Sequence, residues 1–154
     1  MFTGTQAKVI EDIRAEFNPV QFNLIPAHVT LCREHEIEPI ENLVQKLRSI
    51  KWRKPLRIEF DQIERFNDGK GVLMPTKNPK PQFDELRELI LIGLNNKPEK
   101  YFAHITLMHP RNSTCTDEIF DRLLKYRIPG ELFFDKISLI EQREGGKWCV
   151  VEEF

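Results

Sequence analysis

His28-Val29-Thr30-Leu31 and His104-Ile105-Thr106-Leu107 repeat one pattern: a histidine, a β-branched apolar residue, a threonine and a leucine. With average residue usage, one such tetrapeptide in a chain of this length has odds of roughly one in a hundred, so two have odds of about one in ten thousand. In an extended strand residues i and i+2 share a face. Each histidine then stands beside its threonine, while Val29, Leu31, Ile105 and Leu107 face the other way. A lone strand histidine is more often a packed structural residue. Core packing, however, gives no reason to repeat His and Thr on the same faces.

Working outward, the same order of elements brackets both motifs. Val9, Ile10, Ile13 and Phe17 recur at helical spacing until Asn18-Pro19, which predicts a helix over 5–17 and then a short linker. A strand over 27–32 follows. Ile37, Ile40, Leu43, Val44, Leu47 and Ile50 give an amphipathic helix. Leu56, Ile58, Phe60 and Ile63 then run to the turn Asn67-Asp68-Gly69, with Val72 to Met74 returning as the second arm of a hairpin. In the second half, Phe83, Leu86, Leu89, Ile90 and Leu94 repeat the helical pattern up to Asn95-Asn96-Lys97-Pro98. A strand over 103–108 comes next, then a helix starting at Thr116-Asp117-Glu118 and stopped by Pro129-Gly130. The closing hairpin has arms 132–142 and 148–152, and Gly145-Gly146 is expected to supply the positive φ angles of its turn. Helix, strand, helix, hairpin thus occurs twice, as in a duplicated chain.

Composition narrows the classes. The chain of 154 residues is the length of one domain, and 40% apolar with 31% charged residues marks a globular protein. Cys32, Cys115 and Cys149 are widely spaced with no CxxC, which excludes zinc fingers and fits reduced thiols. Lys8, Glu11, Asp12, Arg14 and Glu16 interrupt any apolar run near the start, so neither a signal peptide nor a membrane span is expected there. A cytoplasmic monomer is the expectation. A net charge of −1 and a pI near 6.4 disfavour gripping an extended duplex, but allow a local site for one or two phosphates.

Two imidazoles and two hydroxyls in one cleft would suit phosphate ester chemistry, if the halves pack about an approximate two-fold axis with the motif strands adjacent. One neutral imidazole takes a proton from the attacking hydroxyl or water, and one imidazolium protonates the oxygen that leaves. Threonine hydroxyls bond the non-bridging oxygens as phosphorus becomes five-coordinate. The arrangement calls for neither metal nor cofactor. HVTLCREH also lacks the helical spacing of the HExxH metal sites.

Here the chain resembles the two-histidine phosphoesterase superfamily, whose members carry two His-x-Thr/Ser motifs with apolar neighbours. It is most similar to the bacterial branch of 2′-5′ RNA ligases and RNA cyclic phosphodiesterases, and Leu24-Ile25-Pro26-Ala27-His28-Val29-Thr30-Leu31 has the form of the first motif. The resemblance spans nearly the whole chain. It implies an α+β fold within a single domain, 1–154, made of two pseudo-symmetric lobes, approximately 5–75 and 82–153. Each lobe would be an antiparallel sheet with helices on its outer face, and the cleft between the lobes would be the active site. It also implies opening of 2′,3′-cyclic phosphates at RNA or nucleotide ends, or action on 2′-5′ linkages, with His28, Thr30, His104 and Thr106 catalytic. Family members usually open with a strand before the first helix. Here the helical pattern starts almost at Met1, so either a strand is missing or the natural start lies elsewhere.

Other residues are weighed beside these. Arg33 and Arg111 follow the motifs at strand-to-loop positions where a guanidinium could reach a substrate phosphate. His35 and His109 lie an odd number of residues from the motif histidines, so a continuing strand would point them away. Lys51, Arg53, Lys54 and Arg57 around Trp52 read as a solvated helix end rather than an RNA grip. Phe22, Phe102, Phe133, Phe134 and Trp148 include candidates for base stacking that the sequence does not separate from core. Cys32 and Cys149 are packing residues, since no motif would activate a thiolate. The alternative reading is a non-catalytic RNA-end or nucleotide-binding module using the same cleft. A third is a partner-binding protein acting through the basic run.

Overall fold

In a computed structural model, which describes residues 5–51, 55–94 and 100–154, the strand over the second motif forms as its alternation requires. This strand, β4, spans His104–Met108. Ile105 and Leu107 are fully buried, while His104 and Thr106 are half-exposed on the opposite face. Truncating either buried residue to alanine would cost about 2–5 kcal/mol.

Helix α1, Thr5–Phe17, packs on β4 and buries Ile10 and Ile13. The predicted linker after it is instead a second helix, α2, Pro19–Leu24. Pro19 ends α1 and, with its φ already helical and no N–H to satisfy, opens the next helix at once. Helix α3, Ile40–Ser49, buries Leu43 and Leu47. Helix α4, Pro81–Leu91, buries Phe83, Leu86 and Ile90, and packs near β1 and α3. It stops before Leu94, because Gly93 takes φ 81° just past the helix end, where glycine is cheapest. The breaker predicted at Asn95–Pro98 lies outside the described residues. In α5, Asp117–Leu123, the Thr116 side chain caps Ile119 N, as the sequence predicts.

The strands are antiparallel but choose partners that the hairpin reading does not foresee. Strand β1, Leu56–Glu59, pairs with β5, Glu131–Phe134. Strands β2, Glu64–Arg65, and β3, Val72–Pro75, pair with each other, and β3 then pairs with β4. The predicted arm 56–63 is therefore split. It changes partner at Phe60 and Asp61, whose amides donate to Gly130 O and Pro75 O respectively. Likewise the arm 132–142 divides into β5 and β6, Ser138–Gln142; only β6 forms the closing hairpin, with β7, Trp148–Glu153. The positive φ angles of that turn fall on Glu144 (51°) and Gly145 (71°), not on Gly146. Gly69, at φ 72°, makes the other turn as expected. Since β1 pairs with β5 and β3 with β4, these ladders join the two sequence repeats and neither sheet is confined to one of them.

The first motif departs most. Residues 27–32 belong to no strand of the described sheets, so the two motif segments are not neighbours in a ladder. Side chains hold backbone groups near the two ends of the first segment instead. Glu11 Oε1 accepts from Ala27 N at 2.6 Å, Arg14 Nη2 donates to Ile25 O at 2.6 Å, and Arg87 donates to Leu31 O. Each such bond satisfies a polar group that a neighbouring strand would otherwise meet.

Candidate active site

The two motif histidines are anchored in the same way. His28 Nδ1 lies 2.8 Å from Pro26 O and His104 Nδ1 lies 2.9 Å from Phe102 O. A carbonyl only accepts, so Nδ1 carries the hydrogen in both rings and Nε2 is the atom left for chemistry. Each anchor is the carbonyl two residues before the histidine. The repeated pattern therefore extends from residue types to ring tautomer.

The rings also sense each other. Burial holds the His28 pKa below its ordinary value of 6.5, and the positive charges of Arg14 and His104 push it the same way. The two imidazoles are thus within electrostatic reach, and protonation of one opposes protonation of the other. His104 is flanked by two aromatic rings. Phe66 meets it edge-on, with centroids 5.6 Å apart and planes at 85°. Phe102 lies at 5.9 Å and 33°.

The threonines differ in setting. Thr106 sits beside His104 on β4, opposite Leu73 of β3. Thr30 shares a hydrogen bond with the Tyr101 hydroxyl. The Tyr101 ring lies between two guanidiniums, Arg33 at 5.3 Å and Arg87 at 5.2 Å. Arg87 is ion-paired to Glu36 in the interior, and Glu36 Oε2 accepts from Arg33 N at 2.9 Å. Arg33, itself exposed, therefore stands close to Thr30.

Arg111 is exposed, and its amide donates to His109 Nδ1 at 3.2 Å. Strand parity does not reach His109. Strand β4 ends at Met108, so the alternation stops there. Burial lowers the His109 pKa, with the charges of Arg111 and His104 adding to the effect. Asn18, buried at the end of α1, fixes this corner: its Oδ1 accepts from His109 N at 2.8 Å and its Nδ2 donates to Asn112 Oδ1 at 3.0 Å. His35 is exposed in a single 3-10 turn, Glu34–Glu36.

The remaining candidates sort by placement. Trp52, Arg53 and Lys54 lie outside the described residues. Arg57 is ion-paired to Glu59 and Glu131 on the sheet surface. Phe134 is core, whereas Phe22, Phe102 and Phe133 are exposed and Trp148 is half-buried. Burial pushes the Cys32 thiol up to about 11, which leaves it a packing residue; Cys149 is exposed. No group of three or more metal-ligating side chains converges among the described residues. Among them, too, no helix is long and apolar enough to cross a membrane. Behind His28 a cavity of about 140 Å³ opens between the first motif and β6, floored by Leu43 and Leu47.

Sequence reasoning missed Arg14, Glu11, Arg87 and Tyr101. A signal for the two arginines was present. Arg14 follows Ile10 by four residues, and Arg87 follows Phe83 by four, so each sits in the apolar stripe of its helix. Both are buried accordingly, at 1% and 6% exposure.

A model of the 2′-5′ RNA ligase superfamily matches residues 3–146. A Bacillus licheniformis protein named "Putative phosphoesterase" is 27% identical over 157 residues, covering 96% of this chain and 92% of its own length. E. coli LigT in complex with NADP+ superposes with a TM-score of 0.60 at 14% identity, covering 100% of this chain and 92% of that one. The LigT complex with phosphate gives 0.59 at 14% identity, covering 99% and 91%. At that identity the solved structures speak for the fold, an α+β arrangement of antiparallel sheets and helices.

Proposed function

The chain belongs to the 2′-5′ RNA ligase superfamily, and from its paired motifs we propose a metal-independent phosphoesterase that opens 2′,3′-cyclic phosphate at RNA or nucleotide ends. The observation that carries this reading is the matched anchoring of His28 and His104, with Nε2 free on both rings and the two charges coupled. The phosphoesterase name of the Bacillus relative and the phosphate bound to LigT support the same class.

In the proposed reaction one Nε2 removes a proton from water as its oxygen bonds to phosphorus. The bond to the ribose 2′ or 3′ oxygen breaks, and the other imidazolium gives its proton to that oxygen. Thr30 and Thr106 donate hydrogen bonds to the non-bridging oxygens, with Arg33 and Arg111 reaching the phosphate from outside. Burial and its cationic neighbours keep His28 neutral. That direction suits it to the base role, which leaves the acid role to His104.

The test is conversion of cyclic-phosphate-ended RNA to its 2′- or 3′-monophosphate-ended form, and of a 2′,3′-cyclic nucleotide to nucleoside monophosphate, followed chromatographically. Replacing either His28 or His104 by alanine is expected to reduce turnover by about 10² to 10⁴. The double variant should lose much less than the product of the two, because the pair acts as a unit. Undiminished turnover in folded His28→Ala and His104→Ala sinks the mechanism. Tight binding of the substrate by the wild type with no product would instead make the cleft a binding module.

A further inference from the structure

The two motifs are alike in their anchors but not in what the anchoring residue presents. Pro26 supplies the carbonyl that orients His28, and Phe102 supplies the one that orients His104. Phe102 follows the half-buried Tyr101 and precedes the buried Ala103. Its own ring is 53% exposed, tilted 33° from the His104 ring at 5.9 Å. The half-buried Phe66 already braces His104 edge-on from another direction, so Phe102 is not needed as its only support. An exposed aromatic held beside an imidazole by a backbone hydrogen bond is a preset stacking surface.

We propose that Phe102 is the platform on which the nucleobase of the substrate stacks, one ribose away from the phosphorus. This rests on the cyclic phosphodiesterase reading above and adds orientation to it. In a displacement at phosphorus the nucleophile and the leaving oxygen stand on opposite sides. The leaving oxygen belongs to the ribose that carries the base. A base on Phe102 therefore places the ribose oxygen on the His104 side and the attacking water on the His28 side. That is the division of labour in which His28 is the base and His104 the acid. The proline at the matching position of the first motif offers no such surface.

Base–aromatic stacking is worth a factor of about 5 to 150 in affinity. The experiment compares, by calorimetry, the binding of adenosine 2′-monophosphate with that of the matching methyl riboside phosphate, which lacks the base. The ratio is read, so general damage to the phosphate site cancels. Wild type is expected to favour the nucleotide by that factor. Phe102→Trp should keep the preference, while Phe102→Ala and Phe102→Leu should both lose it. A preference that survives in Phe102→Ala, or no preference in the wild type, overturns the platform. Turnover is scored separately: a base preference that follows Phe102 without hydrolysis of any cyclic nucleotide retains the platform and rejects the reaction.

Discussion

Arg14→Met tests how the first motif is held without a neighbouring strand. In the folded chain Arg14 is 1% exposed and donates to Ile25 O and Glu11 Oε2, each at 2.6 Å. Glu11 in turn accepts from Ala27 N, so one guanidinium and one carboxylate fix the backbone immediately before His28. Methionine fills the space of the arginine stem, so little cavity is created. What is lost is a charge-assisted hydrogen bond to a carbonyl at a residue only 4% exposed, worth about 1.5–3 kcal/mol. The partner of a carboxylate that is 25% exposed is lost as well. Breaking a fully buried pair costs about 3–5 kcal/mol, and the partial exposure of Glu11 places this case at the lower end. The expected loss is about 3 kcal/mol in guanidinium chloride unfolding, or roughly 6–12 °C in Tm for a domain of this size. Turnover should fall by about 10- to 100-fold, because His28 is no longer held in place. Removing the positive charge also raises the His28 pKa, so the acid limb of the kcat/KM profile should move to higher pH. A change below about 1 kcal/mol with an unmoved acid limb would refute the holding role.

The other predictions follow from the same geometry. The kcat/KM profile should be bell-shaped, its acid limb lying below 6.5 because His28 must be neutral to act as base and its pKa is depressed. Stability should fall with pH in that window too: the unfolded chain takes up the His28 proton near pH 6.5, whereas the folded chain resists until its lower pKa. His28→Ala should flatten that part of a Tm-versus-pH series. Gly71→Ala should destabilise by about 1–3 kcal/mol and impair turnover, since a Cβ there would lie 2.5 Å from Met108 O and 2.8 Å from the Phe66 ring that braces His104; an unchanged melting curve would count against this. Exhaustive chelation should leave turnover intact, as the imidazoles and hydroxyls supply acid, base and phosphate donors; loss restored by a single divalent ion would require a different mechanism.

Much of the site was legible in the sequence because its signals are local. Strand alternation put His104 and Thr106 on one face and Ile105 and Leu107 in the core, and β4 obeys it. Helical spacing marked α1, α3, α4 and α5, and glycine chemistry marked the turn at Gly69. These depend on steric and hydrophobic periodicities that each segment carries within itself. Strand partnership is different, because it is settled by hydrogen bonds to residues far along the chain. Nothing local in 56–63 announces that its first half pairs with Glu131–Phe134. Nothing local in 27–32 announces that Glu11, Arg14 and Arg87 replace a neighbouring strand. Burial of the arginines and the contrast between an exposed Phe102 and a buried Phe134 were likewise decided only when distant segments packed. The sequence by itself determined the chemical groups and the faces that bear them. Tertiary structure decided which groups meet, because a contact's energy depends on the partner and its burial, and neither is a property of one segment alone.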